Sequence, residues 1–246
     1  VGLLLANHYG WRAPFWMIAV MGVLLGLLIA FKLRPVTGHL AAGREISAFR
    51  HLARTLSRSR YLLAYLATTL LATGGFMLMP FGSTFSVNNL GIPMDDLPLL
   101  YGITGVFAIV FGPLTGRLSD SLGKFRVFCA GSLLTMIMAA IYCNLSITPF
   151  FVVAAVSVLM FLGVSSRMIA SSALMTAIPD PADRGAFMSI NSSVQQISGG
   201  IGSAIAGLIV VQSGSGTLQH YDTLGYIVIG AMAVTMVLMY FVNRLV

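Results

Sequence analysis

Gly116-Arg117-Leu118-Ser119-Asp120-Ser121-Leu122-Gly123-Lys124-Phe125-Arg126 sets one carboxylate among three bases, between two long apolar runs at approximately 97–116 and 125–145. About 20 apolar residues in a row are what an α-helix needs to cross the hydrocarbon core of a bilayer. A short polar turn between two such runs reads as the place where the chain emerges into water and goes straight back. Asp120 is read as a helix cap or as the partner of a base, and Gly116 and Gly123 as the residues that permit a tight turn.

The same alternation continues in both directions. Seven spans are read, at approximately 13–33, 61–87, 97–116, 125–145, 150–178, 185–211 and 224–243, after a stub at residues 2–6 taken as the tail of an earlier helix. Proline- and glycine-rich turns separate them, among them Gly91-Ile92-Pro93, Pro179-Asp180-Pro181 and Ser213-Gly214-Ser215-Gly216. Composition agrees, since 57% of the residues are hydrophobic and 9% charged, against about 25% charge in a soluble domain. That inventory cannot clothe a surface in water. The net charge of +7 invites a nucleic-acid reading. The bases fall between apolar runs, however, so membrane topology explains them and no nucleic-acid partner is expected. Cys129 and Cys143 share one span about 21 Å apart, too far for a disulfide. No metal spacing, phosphate-cradling loop or nucleophile–base pair is present, so neither cofactor nor enzyme chemistry is expected.

Of the fourteen Lys and Arg residues, twelve fall in one alternating set of connections and only Arg12 in the other, with Arg167 inside a span. The basic set is therefore cytoplasmic. The connection 34–60 carries six of those twelve bases, and within 46–56 it places Phe49, Leu52 and Leu56 on one helical face, as in a helix lying on the inner membrane surface. Polarity divides the spans as well. The second, fifth and sixth are rich in Ser, Thr, Asn and Gln and are expected to look inward; the first, fourth and seventh are nearly bare and are expected to meet lipid. Small residues four apart (Gly22/Gly26, Gly112/Gly116, Gly199/Ser203/Gly207) are read as helix-packing sites.

The opening stretch fits G-x-x-x-D-x-x-G-[RK]-x-[RK], and there the chain resembles the major facilitator superfamily, in the copy of that motif between its eighth and ninth helices. Gly10-Trp11-Arg12-Ala13-Pro14-Phe15 is similar to the family's outer turn from helix five to six, and Asp180-Pro181-Ala182-Asp183-Arg184-Gly185 to the turn into helix eleven. The resemblance covers essentially the whole chain and looks most like the drug and metabolite efflux branch. It implies an all-α membrane protein: the six-helix C-terminal bundle (61–246) of a twelve-helix fold, a basic cytoplasmic linker (34–60), and one and a half helices of the N-terminal half (1–33). It also implies a secondary carrier in the cytoplasmic membrane, working by alternating access, with a small solute, the lipid bilayer and the missing N-terminal half as partners. Gly116, Asp120, Gly123, Lys124 and Arg126 would then form a conformational-switch motif.

Candidate binding residues follow from polarity within the spans. Arg167 has no other charge near it in sequence, and an arginine deep in a span costs at least ~2.5 kcal/mol unless it faces a partner or a cavity. It is read as binding an anionic group of the solute or a carboxylate in the missing half, against the plainer reading that it snorkels to the surface. Asn191 and Gln195 share a helix face, as do Thr69 and Thr73; each pair serves either a polar solute or helix packing. Met160, Met168 and Met175 are read as packing. All seven acids lie in connections or at span ends, so proton coupling would need a carboxylate upstream of Val1. A transporter-like receptor or scaffold is the rival reading, and a channel a weaker one.

Overall fold

The computed structural model describes residues 2–32 and 48–245. Its helices are α1 (Gly2–Tyr9), α2 (Ala13–Lys32), α3 (Ala48–Leu56), α4 (Ser59–Met77), α5 (Gly82–Asn88), α6 (Leu97–Leu122), α7 (Lys124–Cys143), α8 (Phe150–Met175), α9 (Arg184–Ile209) and α10 (Tyr221–Asn243). Among the described residues, six stretches are both long and apolar enough to cross a membrane: Ala13–Lys32, Ser59–Asn88, Met94–Leu122, Lys124–Cys143, Phe150–Met175 and Tyr221–Asn243. The seventh expected span, α9, is long enough at about 39 Å. Asn191, Ser192, Ser193, Gln195 and Gln196 leave it less apolar than its neighbours.

Several boundaries differ from expectation by a few residues, three of them for a clear local reason. The span expected over 61–87 is two helices, because Pro80 has no N–H to give to a continuous helix and sits instead in a 3-10 turn, Met79–Phe81. The span expected to end at 116 runs on to Leu122, since nothing breaks it before Gly123, whose φ of 97° only glycine adopts without strain. Gly116 is therefore inside α6 and not in a turn, and Asp120 caps no helix N-terminus; it is exposed in the last turn of α6. No ion pair engages Asp120 among the described residues. Finally, α9 stops at Ile209, and Val211–Gln212 pairs with Leu218–Gln219 as a short antiparallel hairpin. Asn89 holds that hairpin by donating to the Leu218 carbonyl and accepting from its N–H, both at 2.9 Å.

In the bundle, α7 packs on α8, α4 on α9, α10 on α4 and α7, and α6 on α8. One apolar cluster lies toward the end carrying Leu90 and Ile92, around Phe85, Tyr142, Leu224 and Val228; the other lies toward the linker end, around Tyr61, Phe128, Leu174, Phe187 and Met239. Ser132 and Thr135 of α7 and Thr235 of α10 are buried, whereas Leu133, Ile137, Val234 and Val237 face outward. That suits a surface solvated by lipid. α2 has no buried residue.

One close helix contact differs from expectation. A Cβ built on Gly163 of α8 would lie 2.6 Å from Thr135 Oγ1 and 2.9 Å from the Gly131 carbonyl, so α7 and α8 cross in backbone contact. Of the small-residue repeats, only the third packs among the described residues, through Gly199 against Phe76 and through Ser203, whose hydroxyl donates to the Phe76 carbonyl at 3.2 Å. Gly22, Gly26, Gly112, Gly116 and Gly207 meet nothing within 4 Å.

Of the linker, residues 33–47 lie outside the described part, as does the Phe49 side chain. The amphipathic helix forms as α3: Leu52 and Leu56 are exposed on one side, while Thr55 is buried on the other.

Candidate functional site

The helices in which polar residues accumulate, α4, α8 and α9, meet around a cavity of about 120 Å³. α9 contributes Met188, Asn191, Ser192 and Gln195, which its 3.6-residue period places on one face. α8 contributes Met168, Ser171, Ser172 and Met175 by the same spacing, and α4 contributes Thr68 and Leu71. The wall consists of hydroxyls, amides, thioethers and one leucine; among the described residues no charged side chain lines it. Thr68 Oγ1 donates to Asn191 Oδ1 at 2.6 Å, a buried bond that ties α4 to α9 at the wall. A shallower depression lined by Met168, Ile169, Ser172, Ala173 and Thr176 shares two residues with the cavity.

Of the residues singled out in the sequence, Asn191 and Gln195 stand in this wall and Thr69 and Thr73 do not. Thr69 Oγ1 donates to the Tyr65 carbonyl of its own helix at 3.0 Å; Thr73 Oγ1 donates across the α4–α9 contact to the Ser198 carbonyl at 3.4 Å. The pair shares a face, as its spacing requires, but that face is one residue out of phase with the cavity. Thr68 stands there in its place. Met168 and Met175 were read as packing and line the cavity, while Met160 does pack against the apolar core. The missed residues carried a signal: Met168, Ser171 and Met175 repeat at three- and four-residue intervals on one polar span, and Met188 continues the spacing of Asn191 and Gln195 on another.

Arg167 is 2% exposed and does not line the cavity, although Met168 beside it and Ser171 one turn on both do. Its backbone faces α7 at the glycine crossing, where a Gly131 Cβ would sit 2.9 Å from its amide nitrogen. Its Nε has no hydrogen-bond partner, and among the described residues no carboxylate lies within 4.0 Å of it. A guanidinium that had reached water would be exposed; this one is enclosed. The remaining candidates lie away from the cavity at the α6–α7 corner, with Asp120 and Arg126 exposed and Lys124 half-buried beside Gly123.

A family model described as Major Facilitator Superfamily matches residues 64–245. The multidrug resistance protein MdtG of Salmonella paratyphi C (strain RKS4594) is 27% identical over 148 residues, a stretch covering 56% of this chain and 35% of that protein. MdtG of Salmonella typhimurium (strain LT2) is 26% identical over the same length and shares. The chain thus spans about a third of the length of the curated relatives it matches. Among solved structures, a variant of the E. coli fucose:proton symporter FucP superimposes with a TM-score of 0.67 at 18% identity, over 95% of this chain and 55% of that one. The helical bundle, the apolar spans and these matches together place the chain in the Major Facilitator Superfamily, to which it belongs.

Proposed function

We propose that the protein is a secondary transporter that moves a small solute across the cytoplasmic membrane by alternating access. The cavity between α4, α8 and α9 carries this reading: a pocket of neutral polar and thioether groups, walled by three helices of a membrane bundle, suits a solute that must bind and leave again. In the proposed arrangement residues 61–246 are the C-terminal bundle, 34–60 the linker, and 1–33 the end of the N-terminal bundle. Asn191, Gln195 and Thr68 hydrogen-bond the solute, with Asn191 keeping two N–H donors beyond its bond to Thr68. Met168, Met175 and Met188 adapt to its apolar parts, as flexible methionines do at permissive binding surfaces. Thr69 and Thr73 brace α4 behind the wall. Arg167 meets an anionic group, on the solute or elsewhere in the polypeptide. Gly116, Asp120, Gly123, Lys124 and Arg126 form the corner about which α6 and α7 shift between states.

Efflux is the proposed direction, supported by the description of MdtG as a multidrug resistance protein. If the carrier is driven by protons, the relay carboxylate is not among the described acids, each of which lies in a connection or at a helix end.

Asn191→Ala in the full-length carrier is expected to raise the KM for a transported solute by about tenfold, the cost of leaving the Thr68 hydroxyl and the solute short of one hydrogen bond each. Thr68→Val should have a smaller effect, and the double variant should fall short of the sum because the two residues share one bond. Dye extrusion by cells lacking their own exporters measures this. A carrier with unaltered extrusion of every dye in both single variants would remove the cavity from the mechanism.

A further inference from the structure

Asp183 immediately precedes α9, where an aspartate ordinarily accepts hydrogen bonds from the helix's first free N–H groups and gains about 1 kcal/mol. It makes no such bond. Its carboxylate, on a residue only 7% exposed, is turned toward three side chains from distant parts of the chain. Arg58 Nη1 pairs with Oδ2, Tyr61 Oη donates to the same oxygen at 3.1 Å, and His51 Nε2 lies 3.6 Å from Oδ1. Asp180 gives Arg58 a second acceptor at 3.0 Å, and its backbone N–H donates to Tyr61 Oη at 3.3 Å. Arg58 Nη1 also donates to Tyr61 Oη at 3.2 Å, and that bond, outweighing desolvation and aided by the charge of Asp183, holds the guanidinium above its ordinary pKa.

One carboxylate therefore touches three elements: α3 through His51, the start of α4 through Arg58 and Tyr61, and α9 through its own backbone. Below it the Tyr61 ring stands edge-on to Phe187, 5.1 Å away, and Phe187 stacks on Tyr65, so the charged cluster rests on a rigid aromatic floor. α3 contacts the bundle through α9 and α4, and Thr55, one turn from His51, is 1% exposed. α9 reaches the cavity at Met188 and Asn191, five and eight residues beyond Asp183.

We propose that Asp183 is a latch, a positioning residue that gives up helix capping in order to fasten the linker helix α3 to the α4–α9 pair, so that the linker helix and a cavity wall move as one body. The isosteric change separates this role from capping. Asparagine caps a helix as well as aspartate does but has no charge for Arg58 or His51.

The test uses the full-length carrier with Cys129→Ser, its remaining cysteines shown to be unreactive, and Thr55→Cys as a reporter. A membrane-impermeant maleimide is applied from the cytoplasmic side in inside-out vesicles. The reporter should react slowly in the parent, at least about tenfold faster with Asp183→Asn, and slowly again with Asp183→Glu, which retains the charge; the factor corresponds to about 1.4 kcal/mol lost from the docked state. Where Asp183→Asn does not elute as the parent does, His51→Gln decides, because it removes the α3 arm and leaves Arg58, Tyr61 and Asp183 together. A reporter as slow in the deciding variant as in the parent overturns the latch.

Discussion

Arg167→Met is expected to leave the protein at least as heat-stable as the parent while lowering transport by about a hundredfold or more. The two halves of that expectation come from one observation. A buried guanidinium whose Nε bonds to nothing and which has no carboxylate within 4.0 Å among the described residues is a net cost to the fold. A methionine of similar length fills its volume without the charge, so folding loses little. A residue that costs stability and persists in the interior is explained by what it does for the solute or for the alternation between states. Thermal unfolding in detergent and transport in proteoliposomes measure the two quantities separately. Unchanged transport would make Arg167 a tolerated structural residue, and parallel loss of stability and transport would reveal an ion pair that the fold depends on.

The second large effect is expected at the α7–α8 crossing. Gly163→Ala places a methyl group 2.6 Å from Thr135 Oγ1 and 2.9 Å from backbone atoms of α7, which have no rotamer to retreat into. Overpacking of this kind costs about 1–3 kcal/mol where side chains can yield, and here backbone must move. The Ala variant should melt well below the parent, and Gly163→Val should fail to accumulate as folded protein. Gly207→Ala serves as the control, because nothing lies within 4 Å of its added carbon. Equal melting temperatures for the Gly163 and Gly207 variants would show that α7 and α8 do not cross this closely.

Much of the architecture was legible because a bilayer imposes a coarse rule: long apolar stretches separated by basic turns leave little freedom in helix number and direction. The rule says little about where a helix ends. Asp120 was placed in a turn because charges cluster there, yet only Gly123 carries a backbone conformation that stops α6. It is silent also about azimuth. Thr69 and Thr73 have the spacing of a binding pair, but the α4–α9 packing that turns Thr68 to the cavity is set by glycines, among them Gly202 against the Thr73 backbone. The polarity of α9 did point to the cavity, since amides in hydrocarbon need partners and Asn191 found Thr68. The Asp183 cluster joins segments more than a hundred residues apart, which no local pattern reveals.

In the proposed mechanism the cavity opens to the two faces of the membrane in turn, and Gln195→Cys in the full-length carrier reports that opening. In oriented vesicles, impermeant thiol reagents should modify that position from the cytoplasmic side and, in a separate population, from the outer side. Locking the carrier with a cross-link at either face should abolish the opposite reaction. Modification from one side only, whatever the lock, would contradict alternating access through the space between α4, α8 and α9.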